Sequence, residues 1–179
     1  MAVFFTSDTH FGDWRALRID RRPFPSLAAH DEALVALWNE TVRPSDEVWH
    51  LGDFALGPGP DRIAELLASL AGTKHLIVGN NDGITTLQAS AWASVQHYAE
   101  IETEGRHLIL FHYPLRTWNK MGRGTIDLHG HSHGKLKPLP RQYDVGVDAW
   151  DYRPVTLESI LATRRRRGRA ISGTAGSSV

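Results

Sequence analysis

The sequence predicts an α/β fold in which helices flank a core of two mixed β-sheets. Three observations point there. The first half alternates short apolar runs with helical periodicity, in a βαβαβ order. The second half is dominated by strand-like runs that read as mostly antiparallel. The length of 179 residues, 41% of them hydrophobic, is enough for one compact domain and too short for two.

Taken in order, Val3–Ser7 is an apolar run followed at once by Asp-x-His. Residues His30–Val42 place Ala33, Leu34, Leu37, Trp38 and Val42 on one helical stripe. Glu47–Leu51 reads as a second strand ending in Gly52-Asp53. Asp61–Leu70 is an amphipathic helix, with Asp61 as N-cap or first-turn acid and Gly72 as its stop. His75–Val78 is a third strand and ends in Gly79-Asn80-Asn81-Asp82. Beyond it, Val95–Glu104 and Arg106–His112 are strand-like runs joined at Glu104-Gly105, a hairpin signal. Thr125–Leu128 leads into the run from His129 to Gly134, and Tyr143–Val147 is a further strand. Thr156–Arg165 reads as a closing helix with Thr156 as N-cap. The expected division is a domain over 1–163 and a tail over 164–179 that lacks apolar anchors and is expected to be mobile.

Composition narrows the function. With no cysteine, disulfides and thiolate chemistry are excluded, and the cytoplasm is the expected compartment. The N-terminus has no basic flank and reaches a charge at Asp8, so it does not read as a signal peptide; no apolar run spans a membrane. No obligate protein partner is evident. The net charge is zero, but five arginines fall in 164–179 without an acid, leaving 1–163 acidic by five charges. Ten histidines are an unusual inventory.

Their placement gives the inventory meaning. Five strand ends each deliver groups able to bind a metal: Asp8 and His10, Asp53, Asn80, His112, and His131 with His133. Residues two apart on a strand share a face about 7 Å apart, so each pair can line one cleft. Ligand sites of open α/β sheets gather outside the carboxyl ends of the strands. Alone, Asp-x-His, Gly-Asp and Gly-Asn read as turns or caps and His112 as a hydrogen-bonded strand-end histidine, while the paired imidazoles of His131 and His133 already need a reason. The order DxH, GD, GN, H, GHxH is specific.

That order resembles the calcineurin-like metallophosphoesterase superfamily, in particular its small single-domain bacterial branch. The likeness runs from Phe4 to about Leu157. It implies a four-layer αββα sandwich and a centre of two divalent ions, manganese first, with Fe, Co, Ni or Zn as alternatives. The family pattern puts Asp8, His10, Asp53 and His133 on one ion. Asn80, His112 and His131 go to the other, with Asp53 bridging. Two carboxylates against two divalent ions leave about +2, matched to a hydroxide and a phosphoryl group.

The sequence departs from the family in two places. Most of the superfamily carries a histidine after the Gly-Asn asparagine, where it resembles a general acid; here Asn81 stands in that place and cannot deliver a proton. Asp13 replaces a frequent histidine and reads as a helix cap or a neighbour of the metals. In the loop after His112, Arg116 is a candidate phosphate contact. Asp148 and Trp150 could buttress the site, and His129 reads as a partner of a ligand or as core. His30, His75, His97 and His107 read as surface or structural.

The expected activity is hydrolysis of phosphate esters, diesters before monoesters, on a small molecule or a nucleic-acid end. Two alternatives are a nucleic-acid-binding protein or nuclease using the arginine tail, and a metal-binding scaffold with little turnover.

Overall fold

The structure is a computed structural model that describes residues 1–137 and 139–163. The tail 164–179, and the expectation that it is mobile, lie outside the described residues. Two mixed sheets form the core. The first holds β1 (Val3–Thr6), β2 (Glu47–His50), β3 (Thr73–Ile77), β4 (Ser94–Gln96) and β9 (Val155–Thr156), in the order β4-β3-β2-β1-β9. The four strands β1 to β4 run parallel, with Phe4 opposite Val48, and β9 is antiparallel to β1. The second sheet holds β5 (Tyr98–Thr103), β6 (Arg106–Phe111), β7 (Ile126–His129) and β8 (Gln142–Asp144), in that order.

Alternation along the strands builds two cores. Phe4, Val48 and Leu76 face outward onto α2 (Leu27–Thr41) and α3 (Pro60–Ser69), where Leu34, Trp38, Ile63, Leu66 and Leu67 close the cluster. Phe5, Trp49 and Ile77 face the other way, onto Leu108, Leu110, Ile126 and Leu128 of the second sheet. Ser26 caps α2 by accepting from the Ala29 N–H, and α3 opens with Pro60 in its first turn and Asp61 beside it. Asp61 is therefore the first-turn acid, not the cap.

Two sequence expectations are corrected. The second half is not mostly antiparallel: β5 and β6 form the expected hairpin, but β6, β7 and β8 run parallel. The connections over 112–125 and 130–141 are long enough to cross over, which short strand-like runs do not reveal. The run Val95–Glu104 is not one strand either. It breaks at His97, so that β4 ends the first sheet and β5 starts the second. The closing helix occupies residues 157–163 to the end of the described chain, and Thr156 accepts from the Ser159 N–H as expected.

Among the described residues, no helix is long and apolar enough to cross a membrane. Parallel pairing puts the carboxyl ends of β1, β2 and β3 on one rim, and β6 and β7 bring theirs to the same place. A bridge between Ser7 and Gly146 joins the two rims.

Candidate metal centre

All seven predicted side chains meet at that rim. They fall into two groups, Asp8 with His10 and His133, and Asp53 with His112 and His131; within each, the donor atoms lie within 4.8 Å of one another. Asn80 joins the second group, its Oδ1 standing 3.0 Å from His112 Nε2. Asp53 lies between them: one carboxylate oxygen is 3.6 Å from His10 Nε2, the other 3.6 Å from His112 Nε2.

The loops that carry these groups are turned sharply. Asp8, His10, Asp53, His131 and His133 all have positive φ, a conformation non-glycine residues adopt rarely and at a cost, and one that clusters at functional sites. Gly52 has φ +94, and a Cβ there would stand 2.6 Å from both Gly79 N and His112 Nδ1. At Gly130 a Cβ would run into Ser7 and Asp8. Both glycines of the GD and GHxH motifs are thus demanded by close packing of one loop on another.

Hydrogen bonds on the outer nitrogens turn three imidazoles inward. His112 Nδ1 contacts Leu51 O at 2.8 Å, His133 Nδ1 contacts Asp148 at 2.7 Å, and His10 Nδ1 contacts Asp13 at 3.2 Å. With the proton on Nδ1, each Nε2 presents a lone pair to the centre. His10 Nε2 is buried with no hydrogen-bond partner among the described residues. His112 Nε2 instead faces two oxygens, from Asn80 and Asp53, that are acceptors as well. The Asp8 carboxylate is fully buried and accepts from the His131 N–H at 3.0 and 3.2 Å. Imidazole lone pairs and carboxylate oxygens that converge on one another are the surroundings a divalent cation satisfies. The residues present fit that group.

The charge states agree. Burial pushes His10 down to about 4 and also lowers His112 and His131, so these rings stay neutral and able to ligate. Burial raises Asp8 well above the usual carboxylate range, with the charges of Asp53 and Asp144 adding to it. His133 differs. Burial would lower it, but the Asp148 hydrogen bond and the charges of Asp8 and Asp20 raise it.

Several supporting residues were not legible in the sequence. Arg22 is buried and forks onto Asp148 at 2.9 and 2.7 Å, while donating to the carbonyls of Asp8 and Thr9 at 2.6 and 2.9 Å. In sequence it stands in an Arg-Arg-Pro loop that reads as solvated charge. Asp82 accepts from the N–H groups of Asp53, Phe54 and Gly79 and so ties two ligand loops together. Its burial pushes it up to about 6. Asp148 does buttress the site, as expected.

Asn81 donates to Asp53 twice, from its backbone at 2.8 Å and from Nδ2 at 2.6 Å. Asp13 is not the cap of the next helix, a position Trp14 occupies, but a neighbour of the candidate ligands. It accepts from the Arg15 N–H at the start of α1 (Arg15–Arg18), and it also holds His10 and the Arg15 side chain. Arg116 is exposed and has no hydrogen-bond partner among the described residues. Tyr113, from the same loop, lies against His112 and His131 with ring centroids 4.9 and 4.6 Å away. Of the remaining histidines, His30 is structural, contacting Arg22 and Asp31, and His75 stacks on Trp49. His97 and His107 are exposed, and His129 is a core residue bonded to Gly130 O.

Comparison with known proteins gives the site its context. Residues 1–138 match the calcineurin-like phosphoesterase superfamily domain. An uncharacterized protein of Methanocaldococcus jannaschii is 29% identical over 167 residues, covering 89% of each chain. The gene 66 protein of Mycobacterium phage D29 is 30% identical over 179 residues, covering 83% of this chain and 88% of its own. In structure, the protein of unknown function AQ665 from Aquifex aeolicus superimposes with a TM-score of 0.70 at 20% identity. That likeness covers 90% of this chain and 98% of the other, and it concerns the fold.

Proposed function

The chain belongs to the calcineurin-like phosphoesterase superfamily, whose members generally use a dinuclear divalent metal centre, and from that premise we propose that it hydrolyses phosphodiesters in preference to monoesters. The observation that carries metal-dependent hydrolysis is Asp53, whose two oxygens face histidines of different groups at the same 3.6 Å; the diester preference rests on Asn81. A carboxylate so placed can bridge two ions. Asp8, His10, Asp53 and His133 would hold one, and Asp53, Asn80, His112 and His131 the other. Such ions, when bound, lower the pKa of a coordinated water and polarise a phosphoryl oxygen. Mixed imidazole and carboxylate donors favour manganese first, with Fe, Co, Ni or Zn as alternatives.

The chain's own residues do the rest. Leu51 O, Asp13 and Asp148 fix the ring orientations, and Arg22 anchors Asp148. Arg116 is available to contact a phosphate. Asn81 can donate a hydrogen bond but not a proton, so an ester oxygen must leave without acid help there. That absence of an acid favours diesters with good leaving groups, whether small molecules or nucleic-acid ends.

The test is hydrolysis of bis-p-nitrophenyl phosphate and p-nitrophenyl phosphate with a panel of divalent metals. We expect faster turnover of the diester, strongest with manganese and abolished by chelation. A faster monoester overturns the diester preference. Two bound ions without turnover of either substrate would instead support a scaffold.

A further inference from the structure

The site lacks a proton donor at Asn81, yet a cation stands directly against that residue. Arg15 Nη2 donates to Asn81 Oδ1 at 2.9 Å, and Asn81 Nδ2 donates in turn to Asp53 Oδ2 at 2.6 Å. The guanidinium is one donor removed from the carboxylate between the two groups. Its other edge is clamped by Asp13, to which Nε donates at 3.0 Å and Nη2 at 2.8 Å. Asp13 itself is buried and also contacts His10 Nδ1, so Arg15 reaches both groups through one neighbour each.

The fork fixes the orientation without burying the head. The Arg15 side chain keeps 35% of its surface exposed, and among the described residues its Nη1 has no hydrogen-bond partner. A planar guanidinium held on two sides, with donors to spare at a lip of the site, is arranged to receive an oxyanion. Arg18 is not comparable, since its guanidinium lies over the exposed Trp14 ring at 5.5 Å.

We propose that Arg15 contacts the substrate, donating hydrogen bonds to the departing ester oxygen of a phosphodiester at the position where Asn81 supplies no proton. This inference rests on the phosphoesterase reading above. In the step, a hydroxide oxygen forms a bond to phosphorus and the ester P–O bond breaks. Its electron pair leaves on the departing oxygen, which Arg15 hydrogen-bonds and which then takes a proton from water. Asp13 balances the charge of Arg15, so the lip offers directional donors with little net positive charge. That suits the monoanion of a diester better than the dianion of a monoester.

The experiment compares wild type with Arg15→Ala and Arg15→Lys in three readouts: metal content, calorimetric binding of inorganic phosphate to the manganese-loaded protein, and rates across aryl diesters of graded leaving-group pKa. Both variants should keep two ions per chain. Phosphate should bind about tenfold more weakly or worse, the loss expected of a charge-assisted hydrogen bond. The rate should fall more steeply with leaving-group pKa, and lysine should not rescue, because it lacks the fork. Unchanged phosphate affinity and slope would overturn the proposal. Loss of metal in step with Asp13→Asn would also overturn it, showing that Arg15 acts only through Asp13 on His10. If wild type turns over no ester with any metal, the phosphoesterase reading fails; the phosphate comparison still decides whether Arg15 meets a phosphoryl group.

Discussion

The two groups that meet at Asp53 are built differently. In the first, both imidazoles rest on carboxylates: His10 on Asp13, and His133 on Asp148, which a buried arginine holds in turn. In the second, His112 rests on the neutral carbonyl of Leu51, and His131, the exposed member, packs on Tyr113. A carboxylate behind a ligating histidine raises its basicity and fixes its orientation. The first group is thus a preformed, charged cradle, and the second a looser one that borrows its carboxylate from Asp53. The contrast predicts two ions of unequal affinity.

The largest effect should follow from removing what the groups share. Asp53→Ala should lose both ions and lower diester turnover by about 10³-fold or more, at the upper end of losses from removing one preorganised electrostatic group. Metal analysis and a bis-p-nitrophenyl phosphate assay check this, and one tightly held ion remaining would break the idea that the groups depend on Asp53 together.

The comparison is sharpened by Asp148→Asn, which touches only the first group. Affinity for one ion should fall by about 10–100-fold while the other titrates unchanged. A calorimetric manganese titration in which both steps weaken equally would show that the groups are not separable.

The smallest effect is on stability, behind the first group. Thr9 donates to Phe54 O and contacts His50 Nε2 at 2.9 Å, and burial pushes His50 down to about 3. Its folded value lies below the unfolded value of about 6.5, so the unfolded chain binds more protons in between. The stability from neutral His50 is full above pH 6.5 and is lost as pH falls toward 3. Between pH 7 and 5 that is about 2 kcal/mol, from about 1.4 kcal/mol per unit. Urea unfolding in chelator should therefore show a shallower pH dependence for His50→Gln than for wild type; equal slopes would refute it.

What sequence alone could determine was whatever is local. Apolar runs ending in Asp8, Asp53, Asn80, His112 and the His131–His133 pair mark the strand ends, because strand periodicity and turn chemistry act over a few residues. The stripe of α2 and the hairpin at Glu104-Gly105 are legible for the same reason. Strand direction in the second sheet is not, since β6, β7 and β8 become parallel only through crossovers whose path depends on what they pack against. Nor does sequence reveal that residues 95–104 divide between two sheets at His97. The supporting side chains lie furthest from view. Arg22 meets Asp148 across 126 positions, and Arg15 meets Asn81 across 66, pairs that no local pattern encodes. Tertiary structure decides them: parallel pairing of β1, β2 and β3 brings the loops of Arg15 and Asn81 to one rim, and the bridge from Ser7 to Gly146 holds the Asp148 segment beside it.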